Sequence, residues 1–306
     1  MNRKIEAIDA LPVFMMAGLF VLIDCLALAV AGPFKAAGEF VFENPSDPLN
    51  LVYFFLIFLL STVAILLISK FGKKQLLQGI VLGAIGLLIL YVFYPLLAIV
   101  VPQAWSLGLS MTAAVFLVIM LVKYPEWYVV DVSGILIGVG AIAMLGISLK
   151  IHLVIILLIG LSIYDAISVY KTKHMIDLAD TIVDLRLPNM FVIPKRREYS
   201  LVKEIGSLKE KLRKGEERDA FFMGVGDVVF PGILAVSIFH NLASNGLLIA
   251  LSVMLGTILG FTVLMTFVLR GKPQAGLPYL CIGAILGYLV SSYLVFGGIV
   301  GFTLLI

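Results

Sequence analysis

Two aspartates in apolar surroundings are the residues of this chain best suited to chemistry. Asp227 follows Gly224 and Gly226 in the run FFMGVGDVVF, and Asp165 stands in LSIYDAISVYK. An ionisable residue inside a membrane span is costly, so it indicates a functional site. Two carboxyl groups that meet in a low dielectric cannot both ionise cheaply, and they share one proton. Such a pair supplies a base that activates water and an acid that protonates an oxyanion, which is what peptide hydrolysis requires.

The elements that carry these aspartates are predicted to be membrane-spanning helices. The 306 residues are 61% hydrophobic and 13% charged, whereas a soluble domain has about 25% charged residues. A helix needs about 20 mostly apolar residues to cross the hydrocarbon core. Nine segments meet this requirement: 12–34, 50–69, 76–101, 104–122, 129–149, 151–170, 220–240, 246–269 and 277–305. The predicted fold class is therefore an all-α polytopic membrane protein.

The distribution of basic residues predicts the orientation of these spans. If the N-terminus is cytoplasmic, only Lys35 and Lys150 of the 22 Lys and Arg residues fall on the outer side. The positive-inside rule therefore favours a cytoplasmic N-terminus and an extracytoplasmic C-terminus. Residues 1–170 then carry six spans, 171–219 form a partly mobile cytoplasmic loop, and 220–306 carry the last three spans of one catalytic unit.

The two aspartates are predicted to lie at similar depths below the same membrane face. Asp165 precedes Lys171 by six residues, and Asp227 follows Asp219 by eight. At ~1.5 Å per residue, these separations place them about 9 and 12 Å below the cytoplasmic face. Spans six and seven are antiparallel and joined on that face, so the carboxyl groups meet if the two spans pack together. The two glycines before Asp227 would let another backbone approach closely.

The other polar residues in the spans are expected to have structural roles. Asp24 is expected to make a satisfied polar contact between helices, and Asp131 and Asp219 are expected to face water near the ends of spans. Tyr164 either packs against a neighbour or donates a phenol hydrogen bond. The three His residues are scattered and both Cys residues lie in apolar runs. We therefore predict no metal centre, no disulfide and no cofactor.

Three motifs resemble those of the presenilin and signal peptide peptidase family of intramembrane aspartyl proteases. They are YD in span six, GVGD in span seven, which matches the family's GxGD pattern, and QAGLPYL at the start of span nine. The resemblance implies that Asp165 and Asp227 are the catalytic pair. It also implies a horseshoe of helices around a water-accessible cavity.

The third motif departs from the family pattern. The family's Pro-Ala-Leu element falls on Ala275, Gly276 and Leu277, so only the leucine matches. Leu277 and Pro278 are expected to keep the backbone extended ahead of span nine, because proline biases its predecessor away from the helix. Candidates for shaping the site or binding the substrate are Tyr164, Gly224, Gly226, Gln274, Ala275, Gly276, Leu277 and Pro278.

The resemblance also implies the partners of the chain. Family members cleave peptide bonds within transmembrane segments, so the expected partners are substrate transmembrane helices and the lipid bilayer, with no nucleic acid. The cytoplasmic N-terminus is the orientation of presenilins, whereas signal peptide peptidases are inverted. The compact chain is similar to microbial, archaeal homologues, which implies a cell-membrane location and no need for accessory subunits. The oligomeric state, including a homo-oligomer, stays open.

Other functions also stay open from the sequence alone. The same aspartates could relay protons or cations in a coupled transporter or channel, although no internal repeat is visible. A prepilin peptidase-like enzyme also uses GxGD but has fewer spans. A structural membrane scaffold is the remaining alternative.

Three features of the 171–219 loop carry separate predictions. Asp177, Asp180 and Asp184 share one helical face, which is expected to be solvated. The segment LVKEIGSLKEKLRKGEE is expected to be an amphipathic helix or a mobile surface segment. The run NMFVIP is expected to be a surface patch, with a plug or a substrate-like segment as alternatives.

Overall fold

The computed structural model describes residues 7–70, 74–172, 190–196, 199–202, 219–270 and 274–301. These residues form nine α-helices and two short β-strands. The helices are α1 (Ala7–Ala37), α2 (Leu49–Lys70), α3 (Lys74–Val100), α4 (Gln103–Lys123), α5 (Trp127–Ser148), α6 (Ile151–Ile167), α7 (Val225–Asn241), α8 (Gly246–Val268) and α9 (Gly276–Phe296). A π-helical turn, Ser168–Thr172, continues α6. The strands are β1 (Met190–Pro194) and β2 (Ala220–Gly224).

Within the described residues, the helices match the nine predicted spans in number and order. Seven of them are long and apolar enough to cross a membrane, and α2 and α7 contain shorter apolar stretches, Leu49–Ile65 and Val225–Asn241. Large apolar side chains such as those of Phe14, Val100 and Leu294 are exposed on the outer faces of the helices. Extensive apolar exposure of this kind suits a surface that contacts lipid.

The core is built around α5 and α7. The α7 residues from Pro231 to Ile238 are all buried, and α1 and α5 pack against this helix. Gly146 of α5 permits the close contact, since a Cβ added there would lie 2.6 Å from the Cβ of Val236. On the other side of the molecule, α8 and α9 approach backbone to backbone at Gly256 and Gly283. Small residues at such crossings let transmembrane helices pack tightly.

An antiparallel hairpin directly precedes α7. β1 pairs with β2 in a register that places Met190 opposite Gly224 and Pro194 opposite Ala220. Span seven was predicted to begin at residue 220, and this is wrong because 220–224 is β2. Residues 220–224 form a strand because the aromatic side chains of Phe221 and Phe222 suit a pleated, half-buried surface. Gly224, at the end of the run, also weakens a helix there.

The expected surface patch NMFVIP is also a wrong prediction. Its residues Met190–Pro194 form β1, in which Phe191, Val192 and Ile193 are at most 2% exposed. β1 is buried because it lies between its partner β2 and the helix α5. The predictions for Asp177, Asp180, Asp184 and nearly all of segment 201–217 lie outside the described residues.

Two buried aspartates also differ from expectation. Asp24 is 3% exposed, and its Oδ1 has no hydrogen-bond partner among the described residues, so the expected satisfied contact is not seen at this oxygen. Asp131 was expected to face water, but it is 8% exposed and its Oδ1 accepts a hydrogen bond from the Val192 N–H at 2.8 Å. Asp131 is largely buried because β1 covers this part of α5.

Candidate active site

One cavity holds both predicted catalytic aspartates. Asp165 and Asp227 line a pocket of about 180 Å³. Its walls come from the end of α6, the strand β2, the start of α7, the helix α8 and the start of α9, with one residue from α1. Most of the wall is apolar, and its polar side chains are the two carboxyl groups and the amide of Gln274. The structure therefore brings the two aspartates together, as the depth argument predicts.

Asp165 is held by the first turn of α9. It lies in the last turn of α6, and its Oδ2 accepts a hydrogen bond from the Leu277 N–H at 3.1 Å. The N–H groups in the first turn of a helix have no partner within that helix. Asp165 supplies such a partner, so its carboxyl group connects α6 to α9.

Asp227 is held by the start of its own helix. Gly224 is the N-terminal cap of α7, with extended backbone, and its backbone hydrogen-bonds the Asp227 carboxyl group three residues later. This is the return bond of a capping box, in which the third helical residue reaches back to the cap. The Asp227 carboxyl group also interacts electrostatically with Asp165. The capping bond therefore keeps Asp227 close to its partner.

The predicted glycines occupy different positions around Asp227. A Cβ added at Gly276 would lie 3.2 Å from Asp227 Oδ2, and one added at Gly224 would lie 3.6 Å from the same oxygen. Both residues line the cavity. A Cβ added at Gly226 would instead meet the Phe230 ring at 3.2 Å. The backbone of α9 thus lies directly against the Asp227 carboxyl group at Gly276.

The backbone ahead of α9 differs from the prediction. The expectation of an extended chain at Leu277 and Pro278 is wrong, since both lie in the first turn of α9. The extended residue is Ala275, the N-terminal cap, which is 1% exposed. Proline is tolerated in the first turn because the N–H that it lacks would have no helical partner there.

Gln274 and Tyr164 lie in different surroundings. Gln274 lines the cavity, and its Oε1 accepts hydrogen bonds from Tyr170 at 2.7 Å and from Tyr279 at 3.2 Å. Tyr164 is half exposed and lies outside the cavity lining. Its ring packs edge-on against Phe58 of α2, with the centroids 5.6 Å apart. A role for either residue in shaping the site stays a prediction.

The sequence did not reveal the contribution of β2 to the site. Phe221, Phe222 and Met223 line the cavity beside the aspartates. In the sequence these residues form a short apolar run that ends in glycine. Periodicity alone cannot distinguish a strand of this kind from the start of a buried helix. Asp131 was noted in the sequence, but neither its burial nor its partner in β1 was predicted.

A bundle of apolar helices with two aspartates lining one cavity is the arrangement expected of an intramembrane aspartyl protease. The chain belongs to the family described as signal-peptide peptidase, presenilin aspartyl protease, which matches residues 17–299. It is therefore an integral, multi-pass membrane protein of the intramembrane aspartic proteases. The predicted family and the predicted general function are confirmed at this level.

Two solved structures are similar to the chain over nearly its whole length. Both are of a presenilin family intramembrane aspartate protease. The structure in space group C222 has 32% sequence identity and a TM-score of 0.70, and covers 92% of this chain and 99% of its own. The structure in space group P2 has 33% identity and a TM-score of 0.68, and covers 93% and 98%. These similarities confirm the predicted presenilin-like helical membrane fold.

No curated protein sequence matches the chain significantly. Neither the family nor the two solved structures supports the alternative of a transporter or channel. The family acts on transmembrane substrates in the bilayer.

Proposed function

We propose that Asp165 and Asp227 are the general acid/base pair of this protease and that Gly224–Asp227 is its GxGD motif. The observation that carries the proposal is that both carboxyl groups line one small cavity. Each is also held by a backbone group at a helix start. This arrangement presents two carboxyl groups to one reacting carbonyl.

The proposed reaction uses one proton shared by the pair. The ionised carboxylate takes a proton from water while the water oxygen bonds to the scissile carbonyl carbon. The protonated carboxyl group donates its proton to the developing oxyanion. The gem-diol intermediate then breaks its C–N bond: the protonated member of the pair gives its proton to the leaving nitrogen, and the ionised member takes a proton from one of the two hydroxyl groups as the carbonyl re-forms. The pair returns to one ionised and one protonated group, so the reaction needs no covalent intermediate.

The proposed substrate is a transmembrane helix that unwinds next to the cavity. Its peptide bonds must first leave their helical hydrogen bonds, because water cannot reach them otherwise. We place the extended substrate segment beside β2, directly before α7, as a third strand. A second candidate strand partner is the backbone at 271–277, of which residues 271–273 lie outside the described part of the chain.

The pairing geometry of the hairpin supports this location. The Lys195 N–H points inward to the Asp219 carbonyl, whereas the Val192 N–H points outward to Asp131. Antiparallel ladders alternate in this way, so Phe222, which lies opposite Val192, also directs its backbone groups away from β1. Phe222 lines the cavity, and its backbone groups are therefore placed to pair with a substrate strand.

The proposal includes the cellular setting expected from the sequence. The N-terminus is cytoplasmic, the C-terminus is extracytoplasmic, and 1–170 and 220–306 form one catalytic unit joined by the loop 171–219. The enzyme works in the cell membrane of a microbe, alone or as a homo-oligomer, without accessory subunits and without a cofactor. The distribution of basic residues supports the orientation.

The test is cleavage of a single-pass transmembrane peptide by the purified protein in liposomes. The wild type should release two fragments, and a transition-state analogue of aspartyl proteases should block their release. Asp165→Ala and Asp227→Ala should each abolish cleavage and retain the wild-type thermal unfolding curve. Fragments at the wild-type rate from the double variant, in a preparation free of other proteases, would refute the assignment.

A further inference from the structure

A buried carboxyl group that the proposed reaction does not use attaches β1 to α5. Asp131 is 8% exposed, and its Oδ1 accepts the Val192 N–H at 2.8 Å. This N–H belongs to the edge of β1 that faces away from β2. It is costly to leave the donor or the acceptor of a buried hydrogen bond unsatisfied.

A second residue on the same face of α5 completes the attachment. Gly134 lies three residues after Asp131, so the two positions are neighbours on the helix surface. A Cβ added at Gly134 would lie 2.9 Å from Cε1 of Phe191, a residue that is fully buried, so the ring or β1 would have to shift. Asp131 therefore binds the backbone of β1, and Gly134 makes room for its adjacent side chain. We call these two residues the β1 seat.

The β1 seat is connected to the catalytic aspartates through the hairpin. β1 pairs along its whole length with β2, and Met190 lies opposite Gly224 at the end of the ladder. The Gly224 backbone in turn hydrogen-bonds the Asp227 carboxyl group. A shift of β1 on α5 would therefore move β2, and β2 carries both the cap of Asp227 and the edge proposed to bind substrate.

The β1 seat also removes a competing strand edge. The outward positions of β1 are Met190, Val192 and Pro194, which alternate with the residues bonded to β2. The Val192 N–H is taken by Asp131, and Pro194 has no N–H to donate. An extended substrate segment can therefore make few bonds along β1, and the outer edge of β2 is the better partner.

We infer that Asp131 is a positioning residue of the proteolytic reaction: by holding β1 on α5, it fixes the strand β2 that sets the register of the substrate. This inference rests on the proposed function. Asp131 does not touch the reacting atoms. It acts through β1 and β2, and it determines which peptide bond is presented to the aspartate pair.

The experiment compares variants of the full-length protein in liposomes with a single-pass transmembrane peptide. Asp131→Leu keeps the approximate size of the side chain and removes the acceptor, whereas Asp131→Asn keeps an acceptor oxygen. Gly134→Ala leaves Asp131 intact and disturbs β1 through the Phe191 ring. The readouts are kcat, KM and the cut positions, which are measured by mass spectrometry of the fragments.

Asp131→Leu leaves the buried Val192 N–H without its acceptor and should lower kcat by about tenfold. It should also spread the cuts over neighbouring peptide bonds, and Asp131→Asn should restore the wild-type position. Gly134→Ala should produce the same spread of cuts. Because it keeps the carboxyl group, it provides the test even if Asp131→Leu does not fold.

The matched control is Glu126→Leu. Glu126 lies at the same end of α5 and accepts hydrogen bonds from Ser200 and Leu201, beyond β1. Loss of this contact should leave the cut positions unchanged. Wild-type kcat and cut positions in both Asp131→Leu and Gly134→Ala would overturn the inference and leave the proposed function intact. Absence of cleavage by the wild type would refute the proposed function and this inference with it.

Discussion

Gly276 places the backbone of α9 against the Asp227 carboxyl group, so Gly276→Ala tests how exactly that group must be positioned. The new Cβ would lie 3.2 Å from Asp227 Oδ2 and 3.4 Å from its Cγ, and the carboxyl group would have to yield by a few tenths of an ångström. A misplacement of 1 Å in an active site can lower the rate about 10²-fold. On that scale, a shift of a few tenths of an ångström should lower kcat/KM roughly fivefold, or ~1 kcal/mol in the activation free energy.

The same change should not destabilise the fold. Residue 276 is helical, and alanine is favoured over glycine in a helix by about 0.5–1 kcal/mol. That gain offsets the strain of the tight contact. The assay is the initial rate of peptide cleavage in liposomes, with thermal unfolding of the same preparation measured in parallel. We expect lower kcat/KM at an equal or higher melting temperature.

Alanine substitutions at two other glycines serve as controls for Gly276→Ala. Gly79 lies in α3 with nothing within 4 Å of an added Cβ, so Gly79→Ala should leave kcat/KM unchanged. At Gly224, an added Cβ would be in ordinary van der Waals contact with Asp227 Oδ2 at 3.6 Å, so Gly224→Ala should lose less activity than Gly276→Ala. Equal kcat/KM for Gly276→Ala and the wild type would refute the view that α9 positions Asp227 through this contact.

Three other predictions concern protons and packing. Because the aspartate pair works with one proton, kcat/KM should fall on both the acid and the alkaline side of its optimum; a flat pH profile over the folded range would contradict this. Burial raises the pKa of Glu39 above its ordinary value of 4.5, so its contribution to stability falls as the pH rises above that value. Glu39→Gln should therefore raise the melting temperature at neutral pH, and an unchanged or lower value would count against it. Tyr164→Phe should retain cleavage because the ring faces Phe58, whereas a large loss of kcat would place the hydroxyl in the reaction.

The helices and the meeting of the two aspartates could be predicted because they depend on regular geometry. A span is recognised by its apolar length, and the depth of a residue within it follows from a fixed rise per residue. Asp165 and Asp227 therefore lie in one cavity, as the comparison of their depths indicated. Gly276 was identified from the sequence because its motif resembles that of the family. Its contact with Asp227 could not be predicted, because that contact depends on how α9 packs.

The hairpin could not be predicted for a different reason. β1 and β2 are short and lie far apart in the sequence, and each becomes a strand only by pairing with the other. Short apolar runs fit the start of a helix as well as a strand. The burial of Asp131 follows from the same pairing, because only the placed β1 covers it. The proline at 278 was misjudged because its preference against helix does not apply in a first turn.

The surroundings of the two aspartates suit a pair that carries one negative charge. Each carboxyl group is hydrogen-bonded by the backbone at the start of a helix: Leu277 binds Asp165, and Gly224 binds Asp227. Such helix starts stabilise one negative charge, whereas two charges in this mostly apolar cavity would repel each other strongly. α9 supplies both the donor to Asp165 and the backbone of Gly276 beside Asp227. The start of α9 therefore controls the separation of the two groups, and with it how readily they share the proton that hydrolysis by water requires.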